Sequence, residues 1–212
     1  MPRIFSPVRR LTLAAGVAAI GLAAPSVWAQ ATVGQSAPDF AVTDTQGRKV
    51  ALSDFKGKHV VLEWVNPGCP FVVKHYGAGN MQATQKGAVD KGVVWLTVNS
   101  TAKGHGDYRS PADMAAWMQS QKAVATATLM DTDGRMGRAY GARTTPHMYV
   151  IDPAGKLVYA GAIDSKPTAN PADIATAVNH VNVALSEALA GKPVSTAQTR
   201  AYGCTIKYAD PA

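Results

Sequence analysis

Apolar and polar positions along this chain follow two alternating periods. Residues 59–65 (HVVLEWV) and 92–99 (GVVWLTVN) are short, nearly continuous apolar runs rich in β-branched residues. That pattern predicts strands buried on both faces. Further strands are expected at 126–130, 147–152 and 156–162, the last two joined by the turn Pro153-Ala154-Gly155. Residues 39–52 read as an extended hairpin turning at Thr45-Gln46-Gly47.

Helical patterns fill the intervals. A helix is predicted from Pro70 to about Asp90, with proline at its first position and Gly77 and Gly79 breaking or kinking its middle. Ser110-Pro111-Ala112-Asp113 carries a capping serine, a first-turn proline and an acid at the third position. Met114, Trp117, Met118 and Gln121 then share one mostly apolar face, most simply read as core. Asp131-Thr132-Asp133-Gly134 is a turn into a short helix ending near Tyr140; no glutamate follows at the spacing of a calcium loop. Asn170-Pro171 starts a last long helix with Ile174, Val178, Val181, Leu185 and Leu189 on one face, ended by Gly191 and Pro193. Strands alternating with helices predict an α/β fold: a mixed central β-sheet flanked by helices, with an N-terminal hairpin and a C-terminal helix plus tail.

The first thirty or so residues stand outside this pattern. Arg3, Arg9 and Arg10 precede an apolar run at 11–24, and small residues surround Ala29-Gln30-Ala31. This is the layout of a secretory signal peptide. The apolar run is about 14 residues, short of the ~20 of a spanning helix. The division expected is therefore a cleaved signal peptide at 1–31 and one domain at 32–212, periplasmic or secreted, with no stable membrane span after processing. Arg9-Arg10 leaves Sec and twin-arginine export both open. The formal charge of +7 falls to +4 without those three arginines, and no dense basic run remains, which argues against nucleic-acid binding.

Two cysteines, Cys69 and Cys204, lie in the mature region. Cys69 stands in Asn66-Pro67-Gly68-Cys69-Pro70-Phe71-Val72-Val73-Lys74-His75, where a buried strand ends and a helix begins. Unpaired N–H groups and the helix dipole stabilise a thiolate at such a point and make it nucleophilic. Lys74 and His75 lie more than a turn further on. Downstream, Arg143-Thr144-Thr145-Pro146-His147 places a proline just before a strand.

The combination of WVNPGCP after a strand, TTPHMYVID far downstream and the GKLVYAG hairpin resembles the thioredoxin superfamily. It is most similar to the bacterial peroxiredoxin-like redoxins of the alkyl hydroperoxide reductase/thiol-specific antioxidant group. The resemblance runs from Ala37-Pro38-Asp39-Phe40 to the tail Tyr202-Gly203-Cys204-Thr205-Ile206-Lys207-Tyr208. It implies a thioredoxin-like sandwich with Cys69 as the attacking thiol. It also puts Pro146 at the position of a cis-proline facing that thiol. The sequence departs from the family in three places. Val72 stands where thioredoxins have a second cysteine, Asn66 where peroxiredoxins have Thr or Ser, and Leu62 where they have Pro. Asn66 could donate through its amide and Arg143 could supply a cation.

Three functions follow. In the first, the protein is a thiol oxidoreductase, peroxidase-like and antioxidant, acting on a peroxide or on a protein disulfide or thiol. Cys204, in a tail expected to be mobile, resolves, and an external thiol reductant closes the cycle. In the second, Cys69 and Cys204, about 135 residues apart, form a structural staple contributing up to about 4–5 kcal/mol to a partner-binding domain. In the third, Cys69, His75, His147 and Met148 handle Cu(I). The first is preferred, with no metal or cofactor.

Overall fold

The computed structural model describes residues 1–2 and 30–209. Most of the segment read from the sequence as a signal peptide, residues 3–29, falls outside the described residues. Three strands at the centre are the buried runs anticipated above: β3 (Val60–Trp64), β4 (Val94–Asn99) and β7 (His147–Ile151). With β5 (Ala127–Met130) and β8 (Leu157–Gly161) they form one sheet in the order β5-β4-β3-β7-β8. β3 pairs parallel with β4, and β4 with β5, while β7 runs antiparallel to β3 and β8. The sheet is mixed because crossover helices link the first three strands, whereas a short turn joins β7 to β8. An outlying hairpin, β1 (Ala41–Thr43) with β2 (Lys49–Ala51), precedes it.

Alternation along the central strands sorts their side chains onto two faces. Val60, Leu62 and Trp64 join Val94, Leu96, Val98, Tyr149 and Ile151 in one apolar cluster with Phe40 and Tyr140. Val61, Trp95, Met148 and Val150 face the other way, onto α1 (Pro70–Gly77), α2 (Asn80–Val89) and α5 (His180–Leu189). Met114 and Met118 of α3 (Pro111–Ser120) are buried core, and Trp117 stacks edge-on against Tyr76 at 4.8 Å. Glu63 is the polar exception on β3. Its carboxylate accepts from Tyr76 Oη at 2.8 Å, Trp95 Nε1 at 2.8 Å and Gln85 Nε2 at 3.0 Å, and burial pushes its pKa up.

The break expected near Gly77–Gly79 is real. Gly79, at φ 74°, takes the left-handed conformation that divides α1 from α2. The single long helix expected from Asn170 is not formed. A 3₁₀ turn at Pro171–Thr176 gives way to extended chain at Ala177, and α5 starts afresh behind the capping Asn179. The cause is tertiary. Val178 N–H donates to Ser165 Oγ at 3.0 Å, and its carbonyl accepts from Ser165 N–H. The segment is thereby drawn into a bridge between Asp164 and Asn179, leaving Val178 54% exposed rather than on a buried face.

Asp131 confirms the turn reading of its motif. Its carboxylate accepts from Met136 N–H and Gly137 N–H, at 3.0 and 2.8 Å, capping α4 (Arg135–Tyr140).

Candidate active site

Cys69 is the N-cap of α1, directly after β3 and the turn at 66–68. Asn66 Oδ1 accepts from Gly68 N–H at 2.9 Å, closing that turn. Asn66 Nδ2 is directed to Asp107 at 3.5 Å. Asn66 thus shapes the loop that presents Cys69. Pro70 has no N–H to satisfy, and the amides of Val72 and Val73 both donate to the Cys69 carbonyl.

Across from the thiol lies the loop at 144–146. The Thr145–Pro146 bond is cis, and Cys69 Sγ donates to the Thr145 carbonyl at 3.0 Å. That contact belongs to the protonated thiol, since a thiolate has nothing to donate. Cys69 is 2% exposed.

The tail differs from expectation. Rather than a mobile arm, it is paired at Gln198 and packed from Ala201 to Tyr208. Gln198 bridges Ala160 at the β8 edge. β9 (Cys204–Thr205) then pairs antiparallel with β6 (Thr144–Thr145), setting Cys204 opposite Thr145. Ile206 N–H donates to the Arg143 carbonyl at 3.0 Å, and Tyr208 Oη to the Ala142 carbonyl at 2.8 Å. Cys204 is therefore delivered to Cys69 by a β-ladder. The two are free thiols, and their sulfurs interact directly. Burial, the hydrogen bond with Cys69 and the Cys69 charge push the Cys204 thiol up to about 12.

Arg143 is exposed, its backbone N–H donating to His147 Nδ1 at 3.3 Å. Its guanidinium influences His147 and Tyr149. His75 and His147 are committed elsewhere. His75 meets Asn80 Nδ2 at 2.8 Å through Nδ1 and Tyr202 Oη at 3.2 Å through Nε2. Among the described residues no His/Cys/Asp/Glu group could hold a metal ion.

Sequence inspection missed the polar cluster behind the thiols. Lys74, fully buried on α1, reaches Asp164 Oδ2 at 3.5 Å and the Lys166 carbonyl at 3.0 Å. Tyr202 donates to Asp164 Oδ1 and packs edge-on against Phe71 at 5.7 Å. Asp164 thereby ties α1 to the tail two residues before Cys204. Lys74 lies in the segment around Cys69, but its partner Asp164 is 90 residues away in sequence and stands in no recognisable motif.

The histidines make a pH prediction. Burial holds His75 and His147 at about 4, below the ordinary 6.5. Each stays neutral in the fold while the unfolded chain takes up a proton, so their contribution is full above pH 6.5 and lost as pH falls toward 4. Burial raises Asp131 to about 6, which offsets part of this below that pH, because the folded state there binds the extra proton. His147→Asn keeps an acceptor for Arg143 N–H and isolates one histidine. We expect wild type to lose about 1.4 kcal/mol per pH unit relative to this variant between pH 6 and 5, read from denaturant midpoints. Parallel curves would show that His147 titrates normally.

Similarity to known proteins agrees with this geometry. Bacillus subtilis thiol-disulfide oxidoreductase ResA is 28% identical over 132 residues, covering 59% of this chain and 64% of ResA. The matched part thus spans less than two thirds of that relative. A hypothetical protein, SMc02350, from Sinorhizobium meliloti 1021 superposes with a TM-score of 0.72 at 25% identity, covering 85% of this chain and 96% of its own. An uncharacterized conserved protein from Geobacillus kaustophilus gives 0.71 at 29% identity, covering 85% and 94%. The fold is thioredoxin-like. The AhpC/TSA family pattern matches residues 33–160, from ahead of the N-terminal hairpin into β8, and stops short of the Cys204 tail. Since that match takes in more than half of the sequence, the chain belongs to the AhpC/TSA family.

Proposed function

We propose that this protein is an exported thiol–disulfide oxidoreductase in which Cys69 attacks and Cys204 resolves. The observation that carries this reading is the ladder between β6 and β9, which holds the two thiols side by side at the start of α1. Cys69, as thiolate, attacks one sulfur of a partner disulfide; the other partner sulfur leaves as thiolate. Cys204 then gives up its proton and attacks the Cys69 sulfur. This closes a Cys69–Cys204 disulfide and releases the second partner thiol. An external dithiol reverses the sequence and is itself oxidised. The order is built in. Two of the four influences that hold the Cys204 proton come from Cys69, the others being burial and Asp107, and the two from Cys69 end once Cys69 is covalently engaged.

A protein disulfide fits better than a peroxide. Asn66 and Arg143, the donors expected to polarise an O–O bond, are turned to Gly68 and Asp107 and to the exterior. Export rests on the sequence of residues 1–31, and N-terminal sequencing of periplasmic protein is expected to find a start between Gln30 and Thr32. Cys69→Ser is expected to abolish disulfide reductase turnover. Cys204→Ser is expected to accumulate the mixed disulfide on Cys69, visible by mass spectrometry. Full turnover in either variant sinks the mechanism.

The packed tail favours one second reading, a structural staple. A redox titration separates the two: a cycling bridge lies near about −200 mV and a structural one below about −300 mV.

A further inference from the structure

Three segments hydrogen-bonded to one another around the Cys204 tail each carry a basic residue. Ala102 N–H donates to the Lys207 carbonyl at 2.8 Å, placing exposed Lys103 beside the tail. Ile206 N–H donates to the Arg143 carbonyl at 3.0 Å, setting exposed Arg143 alongside on the other side. The Lys207 charge reaches the Cys204 thiol itself. None of these three cations has an ion pair among the described residues.

Among the described residues one acid acts on the Cys204 thiol. Asp107 also reaches Cys204, but its carboxylate faces Asn66 at 3.5 Å and His105 at 3.8 Å. Asp164, which meets the tail at Tyr202, is buried against Lys74. Cys204 is only half-buried, whereas Cys69 lies beneath. A partner thus meets the basic rim before it meets the attacking sulfur.

We propose that Lys103, Arg143 and Lys207 form a docking surface for an acidic polypeptide segment flanking the exchanged disulfide. The proposal rests on the thiol-exchange reading and adds the charge class of the partner. Unpaired surface cations around a reactive centre raise the local concentration of anionic reactants and speed their encounter, an effect that salt removes. They contribute little to folding, so their convergence from three segments has a simple use in selecting partners.

The test uses the reduced mature protein and two synthetic peptides. Each has the same intrapeptide disulfide, flanked by glutamates in one and by lysines in the other. At about 20 mM salt we expect the acidic peptide to be reduced about tenfold faster or more. At about 0.5 M salt the ratio should collapse toward one. Lys103→Glu combined with Lys207→Glu should lower the low-salt ratio at least about fivefold. Reading the ratio cancels any effect of Lys207 on the Cys204 thiol. A ratio near one at low salt, or one unchanged in the double variant, overturns the docking surface. Hydroxyethyl disulfide, which is neutral, serves as the reference. If it reacts while the two peptides are equal, the docking surface alone fails. If it does not react, thiol exchange fails and the docking surface falls with it.

Discussion

Gly203→Ala is expected to part the two thiols. A Cβ added at Gly203 would lie 2.0 Å from the Thr145 carbonyl oxygen and 2.7 Å from its carbon, and the residue sits at φ 136°. Real Cβ atoms do not approach so closely, and the atoms in the way are backbone. The same oxygen accepts the Cys69 thiol at 3.0 Å, so it cannot withdraw without disturbing the Cys69 sulfur. The tail has to lift instead. Backbone strain at such a position costs on the order of 1–3 kcal/mol, which is roughly tenfold or more in how often β9 is seated. We expect the yield of the Cys69–Cys204 disulfide after mild oxidation to fall by about that factor, read by free-thiol titration. Gly77→Ala, which meets open space, is the control and should oxidise normally. Normal oxidation of Gly203→Ala would mean that Cys204 reaches Cys69 without the ladder.

Asp164→Ala is expected to be the most destabilising single change in the cluster behind the thiols. Removing the carboxylate leaves Lys74 buried with the Lys166 carbonyl and the Tyr202 ring face but no anion, and leaves Tyr202 Oη with His75 Nε2 alone. An uncompensated buried charge costs about 3–5 kcal/mol. For a domain of this size that is on the order of a 10 °C fall in Tm. Tyr202 leads directly into Cys204, so exchange activity should decline along with stability. The cause is separable by a double change. Lys74→Met with Asp164→Leu removes both charges and should unfold at a higher temperature than Asp164→Ala alone. If the double variant is no more stable, the cost does not come from the stranded lysine.

Much of the architecture could be read from residue order. The runs at 59–65 and 92–99 read as strands buried on both faces, because nearly continuous apolar stretches of seven and eight residues leave no face for water. Ser110-Pro111 and Cys69-Pro70 marked helix starts through proline's fixed φ and missing N–H, and the structure has helices beginning at Pro111 and Pro70. The pairing of a strand-end cysteine with a proline-containing strand start pointed to the thiol site, and the cis Thr145–Pro146 bond faces Cys69 as the resemblance implied.

Other features depend on contacts between segments distant in sequence. Val178 continues a helical apolar stripe, yet Ser165 hydrogen-bonds its backbone and breaks the helix. The tail is polar and glycine-containing, the composition of a mobile end, yet pairing with β6 and burial of Ile206 fix it. Lys74 and Asp164 look like ordinary solvated charges until α1 and the segment after β8 enclose them. Local sequence sets the preference of each segment for strand, helix or turn, because propensity and periodicity act over a few residues. Which thiol meets which, and which charges are buried together, is a matter of long-range pairing, and only the folded chain decides it.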